Sequence, residues 1–310
     1  MLPRTPILHR RALSGPTMGS RWSAVFYAAE DLDVVALGAA LQEAVDRVDR
    51  QMSTWKPDSD LNRLNAAPVG AWIAIPRELT TVLAAALEIG RASGGAFDIG
   101  VGDLVQAWGF GGGSRSPDRS RIATVSGRPS FDPPKTLQHD PVNCRARKLA
   151  SLTLDLSGVA KGFGVDELAR IMSGFGVESW LVGIDGEMRA GDPKPDGRPW
   201  AVAREKPSVG AREIDGILEL QDAAVATSGS YRHVAEIGGS RVSHTMDPRI
   251  GSPLANDLAA VTVLAESCMV ADAWATALLV SGAHGGLELA RRYGLAALFV
   301  RTDGEVLSSF

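Results

Sequence analysis

The sequence has little of what usually betrays a function at a glance. It holds two cysteines, Cys144 and Cys268, in 310 residues. That is too few for a disulfide framework or a thiolate zinc site. Cys144 lies in a polar, loop-like stretch and Cys268 opens an apolar helix, so both read as unpaired thiols without a role. Basic blocks are missing too, and the net charge is −4, which disfavours a nucleic-acid partner. The run Arg204-Glu205-Lys206 reads as a solvated edge. No apolar run approaches the roughly 20 residues of a membrane span. The stretch from Met1 to Arg11 is too interrupted for a signal h-region, and no lipobox is seen. The expectation is a soluble chain that stays in the cytoplasm, with export of a longer precursor left open. There is no internal repeat, no GxGxxG fingerprint and no Walker loop, so a nucleotide would have to be held by another route.

What is present is an ordinary globular composition, 45% hydrophobic and 22% charged. The length allows one large domain or two modest ones, with a core that needs no staple. Strands are expected over Trp22–Tyr27, Trp180–Ile184, Trp200–Ala203, Ala223–Thr227, Arg232–Ile237, Ala259–Ala265 and Leu295–Arg301. Leu37, Leu41, Val45, Val48 and Met52 recur at three-to-four spacing and mark a helix. Pro76 opens a second helix, with Leu79, Val82, Leu83, Ala86 and Leu87 on its buried face. A third runs from about Lys161 to Phe175, stopped by Gly176, and a fourth from about Cys268 to Val280. A further helix ends near Tyr293-Gly294. Periodicity is weak from 111 to 150, which reads as a long, partly mobile excursion. Helices and strands mix without regular βα alternation, so the fold class is α+β, with mixed and antiparallel sheets packed against helices.

Five segments could carry chemistry. In Ala271-Asp272-Ala273-Trp274-Ala275-Thr276, Asp272 and Thr276 project from one helix face a turn apart. A carboxylate and a hydroxyl suit a hard cation such as magnesium; equally, Asp272 could cap the helix while Thr276 bonds back to a carbonyl. From Leu154 to Gly162 a strand enters a small-residue turn and then a helix, a place where backbone can approach a phosphate and Lys161 adds positive charge. A plain turn with a solvated lysine is the competing reading. Gly94-Gly95-Ala96-Phe97-Asp98 could admit a planar ligand or only fill a core. Trp55 stands where the Met52-Ser53-Thr54 helix end gives way to Ser59-Asp60-Leu61-Asn62-Arg63-Leu64-Asn65, read as a polar loop, and its indole could stack on a ring. His244, one of five histidines, ends a strand beside a hydroxyl and an acid. It could take a proton from an attacking hydroxyl or be merely structural.

In their order and combination, these blocks resemble the ApbE-type FAD:protein FMN transferases. Met18-Gly19-Ser20, Met52-Ser53-Thr54-Trp55, Gly95-Ala96-Phe97-Asp98, the Asp155–Gly162 turn, Ala226-Thr227-Ser228-Gly229-Ser230-Tyr231, the run Ser243 to Gly251 and Ala271–Thr276 carry the resemblance, from about residue 16 to 301. It implies an ApbE-like two-lobed architecture: an extension over 1–15, then a single domain over 16–310. It implies a transferase that takes FAD and magnesium and joins FMN to a threonine of an acceptor flavoprotein, releasing AMP. By the same resemblance Asp272, Thr276 and the Gly158 carbonyl match magnesium ligands. Ala275, where the family often has an acid or a small residue, would offer only its carbonyl. Met18, Trp55, Ala96, Phe97, Asp98, Asp155, Lys161 and Met246 match positions lining the FAD pocket. His244 matches the expected base, and Lys161 would assist it by supplying charge at the phosphates. The chemistry agrees, since attack on a pyrophosphate needs neutralised charge and an oriented nucleophile. Two rivals are FAD hydrolysis to FMN and AMP at the same site, and a flavin-binding carrier without chemistry.

Overall fold

The structure is a computed structural model describing residues 7–111, 116–125, 136–207, 213–230, 234–237 and 240–310. Its backbone is an eight-stranded sheet. The spatial order is His9–Thr17, Ser20–Ala28, Trp180–Ile184, Glu187–Ala190, Ala223–Gly229, Leu258–Ala265, Ala296–Arg301 and Val306–Ser308. Every neighbouring pair is antiparallel. Alternation decides which face is buried: Trp22, Ala24, Phe26 and Ala28 point one way along Ser20–Ala28 and are buried. Against the sheet lie the helices Val34–Met52, Ala160–Gly174 and Cys268–Arg292, each touching the next. The fold class is α+β, as expected.

Local chemistry fixes the ends of these helices. Asp33 caps the first by accepting from the Ala36 amide, and Ser267 caps the last by accepting from Val270. Gly176, at φ 71°, stops Ala160–Gly174 where its position foretold. The last helix carries a break at Gly282, φ 76° and ψ 175°, close to the expected end at Val280.

Several segments differ from expectation. Residues 9–15, read as part of an extension, form the outermost strand of the sheet, paired with Ser20–Ala28. The turn between these strands has φ of 45° at Met18 and 70° at Gly19, the pattern of a tight hairpin that suits the sheet's twist. Within 111–150, Arg119–Val125 is a helix, while Leu137–Asp140 and Arg145–Lys148 join Ile73–Ala74 in a three-stranded sheet. The strands there form a hairpin whose second strand also pairs with distant Ile73–Ala74, an order that weak local periodicity does not reveal. The polar loop after Trp55 is a helix, Asp60–Ala66, because the Ser59 side chain accepts from Asn62 and caps it. A separate ribbon pairs Trp200–Glu205 with Ile214–Leu220. Of the expected strand Arg232–Ile237, Val234–Ile237 is seen; residues 231–233 lie outside the described residues. No helix among the described residues is long and apolar enough to cross a membrane.

Packing is tight where the last helix meets the sheet. A Cβ at Gly286 would come within 2.7 Å of the Phe299 ring, and Phe299 is fully buried. Phe299→Ala should therefore lower unfolding stability by about 3–5 kcal/mol, read from urea denaturation midpoints.

Candidate active site

One cleft of about 640 Å³ gathers nearly every residue singled out above. Met18, Trp55, Ala96, Phe97, Asp98, Asp155, Gly158, Lys161, His244, Met246, Asp272 and Thr276 all line it. Ala275 does not: it is fully buried and belongs to the core.

The centre of the cleft is set by two helices that meet at very short range. Gly162 has no room for a side chain, since a Cβ there would lie 2.4 Å from the Cys268 carbonyl oxygen and 2.8 Å from the Asp272 Cβ. That approach lets the Gly162 amide donate to Asp272 Oδ2 at 3.0 Å. One turn on, the Thr276 hydroxyl lies 2.9 Å from that of Ser228. Gly158 faces the same place, and a Cβ on it would sit 3.3 Å from Thr276 Oγ1 and 3.2 Å from the Phe97 ring. The capping reading of Asp272 and the back-bonding reading of Thr276 both give way. Ser267 caps the helix, and each polar group reaches across to another element.

The turn before Gly162 is held from within. Asp155 Oδ1 accepts from the Ser157 amide at 2.8 Å and from the Ser157 hydroxyl, and the Asp155 amide donates to the Ile99 carbonyl at 2.8 Å. Asp98 accepts from the Gly100 amide at 2.6 Å. Both carboxylates thus shape the backbone beside Phe97. Trp55 lines the cleft yet is 58% exposed, so its indole face is available to a planar ring. The His244 ring stands edge-on to Phe110, with centroids 6.4 Å apart.

Lys161 does not point into water. Its ammonium donates to both oxygens of Glu187 at 2.8 and 2.9 Å, with Asp185 at 3.8 Å. Burial alone would lower its pKa, but Glu187, Asp272 and Asp185 outweigh that and raise it. The lysine therefore stays charged at neutral pH. Glu187 is 3% exposed, and its own carboxyl is pushed up by burial against the pull of Lys161. Glu187 did not stand out in the sequence, and Ser228 did so only as part of the Ala226–Tyr231 block, with no role of its own. Glu187 follows the Asp185-Gly186 turn on a four-residue strand, where only the fold reveals that it faces a lysine. Arg204, read as a solvated edge, in fact lines the cleft, with its side chain 14% exposed and bound to Asp215 at 2.9 Å.

Asp272 is 4% exposed, and burial, followed by the nearby Glu187, raises its carboxyl to about 7. Among the described residues no group of three or more His, Cys, Asp or Glu side chains is placed to hold a metal. What exists instead is one buried carboxylate and the Thr276 hydroxyl, with Gly158 beside them. These are hard donors, and magnesium is commonly held by one or two carboxylates with water and substrate phosphate completing its shell. The donor set fits that ion.

The model of the ApbE family matches residues 18–299. The chain therefore belongs to the ApbE family. It is 34% identical to an FAD:protein FMN transferase of Klebsiella pneumoniae over 98% of this chain and 87% of that one. It is 36% identical to the FAD:protein FMN transferase of Vibrio cholerae over 94% and 87%. Two solved structures have the same fold. The flavin transferase ApbE from Vibrio cholerae superposes with a TM-score of 0.87 at 34% identity, covering 97% of both chains. The apo flavinyl transferase ApbE of Pseudomonas stutzeri gives 0.85 at 34% identity, covering 98% of this chain and 96% of that one.

Two outcomes follow for the chain without metal. Gly162→Ala should lower its stability by about 1–3 kcal/mol, since backbone must move to admit the methyl; thermal melts in chelator check this. The Asp272 carboxyl has a folded pKa of about 7 against 3.8 for the ordinary group. The unfolded chain loses that proton first, so stability falls as pH rises from about 4 through about 7 and stays lower above. Asn at 272 cannot ionise. In chelator, Asp272→Asn should therefore melt above the unsubstituted chain at pH 8, with the gap closing towards pH 4.

Proposed function

We propose that the chain is a magnesium-dependent FAD:protein FMN transferase, joining the FMN phosphate of FAD to a threonine hydroxyl of an acceptor flavoprotein and releasing AMP. The observation that carries this reading is the meeting, in one cleft, of Asp272, Thr276, Gly158, Lys161 and His244 with an aromatic and thioether set, although they are scattered over more than a hundred residues of sequence. The names of the relatives support the same reaction class.

Trp55, Phe97, Met18 and Met246 belong to the apolar lining of the cleft and would hold the flavin ring. Asp272, Thr276 and the Gly158 carbonyl would hold magnesium, which supplies positive charge at the pyrophosphate when bound. Lys161, kept protonated by Glu187, adds a fixed charge beside the same spot. His244 takes the proton from the acceptor hydroxyl as its oxygen attacks the FMN phosphorus. The new P–O bond forms as the bond to the bridging oxygen breaks, and that oxygen leaves on AMP.

Incubating the chain with FAD, magnesium and a threonine-bearing flavoprotein tests the reading. Flavin fluorescence should remain on the denatured acceptor, with one AMP released per label. FMN and AMP without labelling would make the chain a hydrolase, and FAD binding without AMP would make it a carrier. His244→Ala should slow transfer roughly 10²- to 10⁴-fold while FAD still binds. Loss of FAD binding in that variant would make His244 a pocket residue instead.

A further inference from the structure

Asp166 lies outside the cleft, yet it is the most heavily bonded carboxylate near it. Its Oδ1 accepts from the Cys268 amide at 3.0 Å and from Arg189 Nη1 at 2.7 Å. Its Oδ2 accepts from the Met269 amide at 2.9 Å and from the Ser267 hydroxyl at 2.7 Å. Four donors fill the acceptor capacity of one carboxylate. Three of them belong to the start of the helix that carries Asp272 and Thr276.

The placement is reciprocal. Asp166 stands on the Ala160–Gly174 helix and binds the first turn of Cys268–Arg292, while Asp272 stands on Cys268–Arg292 and binds Gly162 in the first turn of Ala160–Gly174. Residues 162 and 166 are one turn apart on one helix, and 268 and 272 one turn apart on the other, so both clamps share one helix–helix seam. Continued one more turn, the seam brings Gly158 against Thr276. Only the Asp272 clamp is made by a group that a cation would also claim. The Asp166 clamp is anchored by Arg189 and is free of the cleft, so it holds the helix in place whatever Asp272 does.

We propose that Asp166 is a positioning residue for the cation site: by fixing the start of the Cys268–Arg292 helix, it sets where Asp272 and Thr276 stand opposite Gly158. This rests on the reading that Asp272 and Thr276 hold magnesium. Asp166→Asn is the direct variant, because an amide offers one acceptor oxygen and turns two N–H groups toward donors.

The test is the magnesium concentration at the midpoint of the thermal shift, measured on the FAD-loaded chain, beside FAD affinity in chelator. Asp166→Asn should raise that midpoint roughly 10- to 100-fold, the usual effect of losing a group that orients a metal ligand, and leave FAD affinity within about twofold of the unsubstituted chain. Arg189→Gln, which removes only the anchor, should raise it less, and it carries the test if Asp166→Asn does not fold. A lower melting temperature in chelator with an unchanged magnesium midpoint would make Asp166 a purely structural cap and overturn the proposal. Asp272→Asn separates the two levels. If it abolishes the magnesium shift while Asp166→Asn and Arg189→Gln leave the midpoint untouched, the positioning role falls and the cation site stands. If Asp272→Asn keeps the shift, the cation reading falls and takes the proposal with it.

Discussion

Everything in the cleft depends on how closely two helices approach at Gly162. With the Cys268 carbonyl oxygen only 2.4 Å from where a Cβ would stand, no other residue fits there without moving backbone. That contact brings the Gly162 amide to Asp272 and places a carboxylate in an apolar helix within reach of the turn at Gly158. A buried carboxylate is unfavourable unless its charge is met. Here one oxygen takes a backbone amide, and the residue still lines the cleft. The seam therefore puts a buried carboxylate on the wall of the cleft, where a bound cation would meet its charge.

The second feature is a buried pair of opposite charges beside that carboxylate. Lys161 and Glu187 satisfy each other, and Lys161 also feels Asp272 and Asp185. The result is a lysine whose charge is insensitive to pH near neutrality and whose position is fixed by two hydrogen bonds. A lysine held this way can act on a phosphate by its field without first being pulled from water. A divalent ion bound beside Asp272 would favour the ionised form of a carboxyl that burial otherwise keeps protonated.

Much of this was legible in the sequence, and the residues explain which parts. The stripe from Leu37 to Met52, the stop at Gly176 and the strand Trp180–Ile184 follow from period and turn chemistry, and each is where it was expected. Asp272 and Thr276 were legible because polar groups in an apolar helix are conspicuous. Asp166 and Glu187 were not, because a carboxylate among ordinary charged neighbours looks solvated until the fold brings a partner to it. The Ala275 methyl lies in the core, so this residue has only its carbonyl to offer the cleft. The strands His9–Thr17 and Leu137–Asp140 owe their existence to partners rather than to their own pattern. Resemblance to a family carried the substrate, and the geometry supplies the physical reasons those residues belong together.

The most direct measurement is anomalous diffraction from crystals of the chain grown with FAD and manganese in place of magnesium. One strong peak is expected within about 2.0–2.3 Å of oxygen atoms of Asp272 and Thr276, with the Gly158 carbonyl and the FAD pyrophosphate completing the shell. A peak elsewhere in the cleft, or an Asp272 carboxylate still bound only to the Gly162 amide with no ion beside it, would contradict it.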